Sequence, residues 1–226
     1  IVMMPIGSIP LLKLAVIASL DDLEGSMRKI TVALLLIVFG CGIAGSGWSA
    51  YQGRDNVAKA SSLVASHLLA FDAEPALDLS SFLARGEDAE EALTADLLEM
   101  QSADWLGAEK KRDAAIEFTS RAISVIPSYT RFRMSNLRVG MSKRRLLEDE
   151  RALAQETDPS LKTLASQRLE AHKDKYEEEQ RDFYHQATAI GMHVEMLLKA
   201  NDGVKFAYGE SKGLDVATQE FMKQLM

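Results

Sequence analysis

Asp182 and His185 stand three residues apart, which on a helix puts a carboxylate and an imidazole one turn apart on one side. Helical bundles hold metal ions with such pairs, so Asp182 and His185 are the candidate metal ligands of this chain. A complete dinuclear site takes a matching pair from another helix. His67 is the only histidine outside His172, His185 and His193, so no matching motif exists and no metal is expected. His172 falls on an apolar stripe and the other two border it, which reads as packing with a polar edge to water.

Nucleophiles are equally scarce. Cys41 is the single cysteine, which excludes an internal disulfide and a multi-cysteine metal site. No G-x-S-x-G, phosphate-binding loop or zincin pattern occurs. Residues Gly40-Cys41-Gly42-Ile43-Ala44-Gly45 spell the dinucleotide fingerprint, but that motif works only between a strand and a helix of a βαβ unit. Here it lies in an apolar segment with no strand–helix alternation after it. No catalytic residue and no cofactor are therefore expected. Val38-Phe39-Gly40-Cys41 resembles the lipobox of bacterial lipoproteins, which makes Cys41 a candidate for lipid attachment.

The conspicuous charge feature is Arg131, Arg133, Arg138, Lys143, Arg144 and Arg145, with no acid among them. It has two readings: a partner patch for anionic headgroups or a polyanionic surface, or charge pairing inside the fold. The second has a geometric basis. A helical hairpin turning near Asp158 would bring together residues whose numbers total about 315, placing 131–145 beside 170–184. That stretch holds Glu170, Asp174, Glu177, Glu178, Glu179 and Asp182. The acidic run Glu87, Asp88, Glu90, Glu91, Asp96 and Glu99 reads as a solvated helix start. With a net charge of −7 the chain repels polyanions as a whole, so no nucleic-acid partner is expected.

These residues need elements to position them. Residue 1 is isoleucine, and 1–26 reads as an extension before a start at Met27. Met27-Arg28-Lys29 followed by the apolar run Ile30–Ala50 reads as a signal peptide or transmembrane anchor, residues 27–50. Cleaved signal, retained anchor and lipoprotein all remain open, and each puts Tyr51–Met226 outside a bacterial inner membrane. The expected location is therefore that membrane with the C-terminal domain in the periplasm, or an exported or lipid-anchored protein.

Residues 51–226 are rich in Ala, Leu, Glu, Lys, Gln, Arg and Met and lack alternating β patterns. The expected fold class is all-α, an elongated antiparallel bundle of long helices. Pro75, Pro127 and Pro159 read as punctuation. They delimit a helix over 55–71, an apolar link Leu77–Leu83, and long segments Asp88–Ile126, Ser128–Glu156 and Ser160–Ala200. Leu161, Ala165, Leu169, His172, Tyr176, Glu179, Phe183, Ala187, Ile190, Val194 and Leu197 make one stripe on the last, with Glu179 out of character. Asp88 with Glu91 resembles a capping box, Asp158 or Ser160 caps the last long helix, and Asn201-Asp202-Gly203 reads as its stop. The tail Lys205–Met226 reads as one short amphipathic helix.

An export segment, long helices and no catalytic motif point to a non-enzymatic membrane-tethered scaffold or adaptor of the bacterial cell envelope. Its partners would be the membrane and a protein partner or second copy met through helical faces. The alternative is a sensory or small-ligand-binding bundle, and the lesser one a metal-binding or enzymatic bundle.

Overall fold

The computed structural model describes residues 51–226, Pro75 and Leu106 excepted. The 1–26 extension, the Ile30–Ala50 segment and Cys41 lie outside the described residues. Helices account for 87% of what is described, with no strand among them, so the fold is all-α. In chain order they are α1 at 51–68 and α2 at Ala70–Ala73, then α3 at Leu79–Ser102 and α4 at Glu109–Gln155, then α5 at Pro159–Tyr208 and α6 at Val216–Lys223.

Local chemistry sets most of the boundaries. The Asp78 carboxylate accepts the Ser81 amide at 2.9 Å and the hydroxyls of Ser80 and Ser81, which start α3 and hold its acid well below the usual carboxylate range. The capping box expected at Asp88 is thus corrected, because Asp88 and Glu91 lie in mid-helix. The rod expected over Asp88–Ile126 is broken between Ser102 and Glu109. There Gly107 adopts φ +74, a conformation that favours glycine, and buried Trp105 donates its indole N–H to the Met100 carbonyl at 2.8 Å.

Pro127 is not a boundary, contrary to the reading of prolines as punctuation. Helix α4 passes through it for 47 residues. An interior proline costs roughly 3 kcal/mol through one lost backbone bond and a steric clash. Its neighbours Val125, Ile126 and Tyr129 are all buried, and that packing offsets the cost. Asn201 is likewise no stop. Its side chain is buried and accepts the Leu214 amide at 2.8 Å, so α5 continues to Tyr208 and ends at Gly209 with φ +108. The tail helix is correspondingly shorter than expected, capped by Asp215 on the Thr218 amide.

Helices α4 and α5 form the long antiparallel hairpin that organises the fold. Asp158 caps α5 by accepting the amides of Ser160 and Leu161, with Pro159 at the first helical position. Contacts across the hairpin join residues whose numbers total between 315, for Phe132–Phe183, and 321, for Ser128–His193, Ser142–Glu179 and Asp149–His172. The expected register is at the lower end of that range.

The core lies at one end. Helices α1, α3 and α6 pack on the amino half of α4 and the carboxyl half of α5, around His67, Phe82 and Tyr129. On α4 no apolar residue past Tyr129 is buried, and on α5 none before Ile190. Beyond Arg133, α4 therefore continues with its α5 partner as a two-helix arm, about 33 Å long at 1.5 Å per residue.

Candidate interaction surface

The arm has a distinctive seam. On α4, Ser128, Phe132, Ser135, Val139, Ser142, Leu146, Asp149 and Leu153 follow at alternating spacings of four and three, and all are buried or half-buried. On α5 the matching row is Leu169, His172, Tyr176, Glu179, Phe183, Gln186, Ile190 and His193. This 3.5-residue repeat is the signature of a coiled coil. Its layers alternate between apolar and polar, with a polar layer every seven residues.

Three of the polar layers are closed by hydrogen bonds. Ser128 meets His193, Ser142 donates to Glu179, and Asp149 accepts from His172. In each layer a small or short side chain on α4 faces a longer one on α5, which lets the seam stay narrow. Asp149 is buried to 5% exposure and also receives Arg168 at 3.0 Å. Glu179, out of character on an apolar stripe, is explained by the Ser142 hydroxyl opposite it. Sequence reasoning missed Asp149 and the serines as seam residues. Their four–three spacing with Phe132, Val139, Leu146 and Leu153 is the signal that would have found them.

The candidate metal pair does not converge. His185 is exposed, and the Asp182 carboxylate accepts from Gln186 on its own helix at 3.2 Å. No group of three metal-ligating side chains occurs among the described residues. His67 is the one buried histidine outside the seam region. It stacks on Phe82 at 4.5 Å, shares a 2.9 Å hydrogen bond with the Thr130 hydroxyl, and burial pulls its pKa down to about 4. Gly86 leaves the space its ring fills. A neutral, stacked imidazole of this kind is a core residue.

The six cations are placed on the outside. Arg131, Arg138, Lys143, Arg144 and Arg145 are exposed, while half-buried Arg133 lies 4.6 Å over the Phe71 ring. Among the described residues no ion pair within 4.0 Å joins any of the six to the acidic run on α5.

The two sides of the hairpin differ in cover. On one side Tyr129, Thr130 and Arg133 of α4 meet Phe221, His67 and Phe71, and Gly191 of α5 lies against Leu225. The other side has no covering helix among the described residues. At the body end it is an open groove of about 740 Å³ floored by the small residues Ala114, Gly203 and Ala207, with Phe206 88% exposed on its rim. The groove continues past Arg121 and Met196, whose guanidinium and sulfur are 3.5 Å apart.

This open side carries two stripes that run from the body onto the arm. Arg131, Met134, Arg138, Met141 and Arg145 follow at spacings of three and four on α4, and Glu178, Asp182, His185, Ala189, Met192 and Met196 do so on α5. Of these, Arg131, Arg138, Met141, Arg145, Glu178, His185 and Met192 are exposed, and Met134, Asp182, Ala189 and Met196 are half-buried. No helix among the described residues is long and apolar enough to cross a membrane. In comparisons with known proteins, no family, no curated protein and no solved structure matches the chain.

Proposed function

We propose that this chain is a non-enzymatic scaffold or adaptor of the bacterial cell envelope, tethered by the Ile30–Ala50 segment and presenting its α4–α5 hairpin to protein partners. The observation that carries the reading is the open side of that hairpin, which no helix among the described residues covers, while α1, α3 and α6 pack on the other side along the body. An enzyme concentrates polar groups in an enclosed pocket, whereas here the polar side chains are spent on the seam. The body end also suits a tether. Gly53, two residues into the described chain, lies tightly against Trp105 and Tyr208, and Tyr208 donates its hydroxyl to the Lys111 carbonyl at 3.0 Å. A rigid attachment there would aim the arm away from the membrane.

The test is fractionation of bacteria expressing the full chain beside a variant lacking residues 30–50, with protease added to spheroplasts. The full chain should sediment with membranes, and its helical domain should be cleaved from outside. The deletion variant should appear in the soluble cytoplasmic fraction. A full chain that stays soluble and protected would remove the tether and the envelope location.

A further inference from the structure

We infer that the open side of the hairpin is the interface of a two-fold symmetric dimer, in which α4 of one copy packs beside α5 of the other to complete a four-helix bundle. The inference shares the open side with the scaffold reading, but its axis is chosen by the charges, since an axis across the hairpin would set Arg131, Arg138 and Arg145 against their own copies. If both copies are held at their amino ends in one membrane, the two-fold axis runs along the hairpin and the arms lie parallel.

Three observations select a second copy as the occupant. The arm is thinly cored, since its seam spends every second layer on Ser, His, Gln, Glu or Asp, and it buries no large apolar side chain. Two large apolar side chains of the arm, Met141 and Leu164, are nonetheless exposed, and helical spacing puts both on the open side. Two helices alone are a marginal assembly, and a second pair would cover that surface.

The charges supply the second observation. A two-fold axis along the hairpin sets α4 of one copy against α5 of the other at the same height, so residues totalling about 320 face each other. Arg138 then meets Asp182, Arg145 meets Glu178, and Glu148 meets Lys175. None of these six side chains closes an ion pair within its own chain among the described residues.

The third observation is the small-residue floor at Ala114, Gly203 and Ala207 beside exposed Phe206. At that height the floor of one copy faces the Phe206 rim of the other. An aromatic ring fits a shallow floor of glycine and alanine, and self-complementarity of this kind is what an isologous interface requires.

The experiment uses the full chain in Cys41→Ser background, purified in mild detergent, with mass measured by light scattering. One variant carries Arg138→Glu and Arg145→Glu, and a second carries Glu178→Lys and Asp182→Lys. The parent should be a dimer. Each variant alone should dissociate, its dimer constant weakened roughly tenfold or more, equivalent to about 1.4 kcal/mol. Mixing the two should restore the dimer, because both opposed faces become complementary again. Reversals confined to the chain's own folding could not be rescued by a second molecule.

A separate pair of copies, one with Met141→Cys and one with Glu178→Cys, should form a mixed disulfide under mild oxidation. Both positions are exposed, so folding is little disturbed. A monomeric parent, a dimer indifferent to both reversals, or dissociation without rescue on mixing would each overturn the inference. None of these results depends on where the chain fractionates, so the tether and the dimer fail separately. A membrane-bound monomer contradicts only the dimer, and a soluble dimer only the tether.

Discussion

His67 is the residue at which the sequence can be misread most easily and the physics is most definite. It is 3% exposed, faces Phe82 and Tyr129, and meets the Thr130 hydroxyl and the Ile126 backbone, the latter offsetting only part of the cost of burial. Burial penalises the imidazolium, so the folded-state pKa lies near 4 while the unfolded chain titrates near 6.5. Between those values the unfolded state binds more protons, and stability rises with pH. The contribution is complete above pH 6.5 and is lost as pH falls toward 4, a difference on the order of 3 kcal/mol. Denaturant titrations at a series of pH values should show this slope in the parent and a flatter one in His67→Phe, which keeps the stack and loses the titration. Parallel slopes in the two proteins would mean that His67 does not set the acid sensitivity.

At the scale of elements, the hairpin was legible because Ser160–Ala200 carries an unbroken stripe and Asp158-Pro159 marks the turn. Helix starts at Asp78 and Asp158 follow the ordinary capping chemistry, although Asp88 competed for the first. Pro127 and Asn201 were misleading for one shared reason. Both are local signals for ending a helix, and tertiary packing overrides them where the flanking residues are buried. The seam itself was half legible. Its apolar rows stand out, but Ser135, Ser142 and Asp149 read as surface residues until the 3.5-residue spacing is followed from both helices. Among these, Asp149 supports a specific expectation. Replacing it by Ala removes the acceptor for His172 and for Arg168, which is largely exposed and so contributes little. The outer arm should lose about 1–2 kcal/mol of local stability, allowing for that screening. Hydrogen exchange should quicken around 146–153 and 169–176 while the body stays protected. Uniform quickening through the body would mean that arm and body open as one unit.

For the whole molecule, α1, α3 and α6 cover one side of the hairpin along the packed body, and the arm projects beyond them as two helices alone. The apolar core ends at Tyr129 and Ile190, and everything beyond depends on the seam and on whatever meets the open face. The charge patch that dominates the sequence between 131 and 145 belongs to that exposed geometry, with Arg133 turned instead toward Phe71. The central claim is that the open face is the contact surface. The measurement that tests it most directly is photo-crosslinking in intact cells, with a photoreactive amino acid placed singly in the full chain. Met141 and Met192 report on the open side, and Leu147 and Tyr184 on the opposite one, all four exposed. The account predicts discrete crosslinked species from Met141 and Met192 and none from Leu147 or Tyr184. Equal yields from both sides, or crosslinks from Leu147 alone, would contradict it.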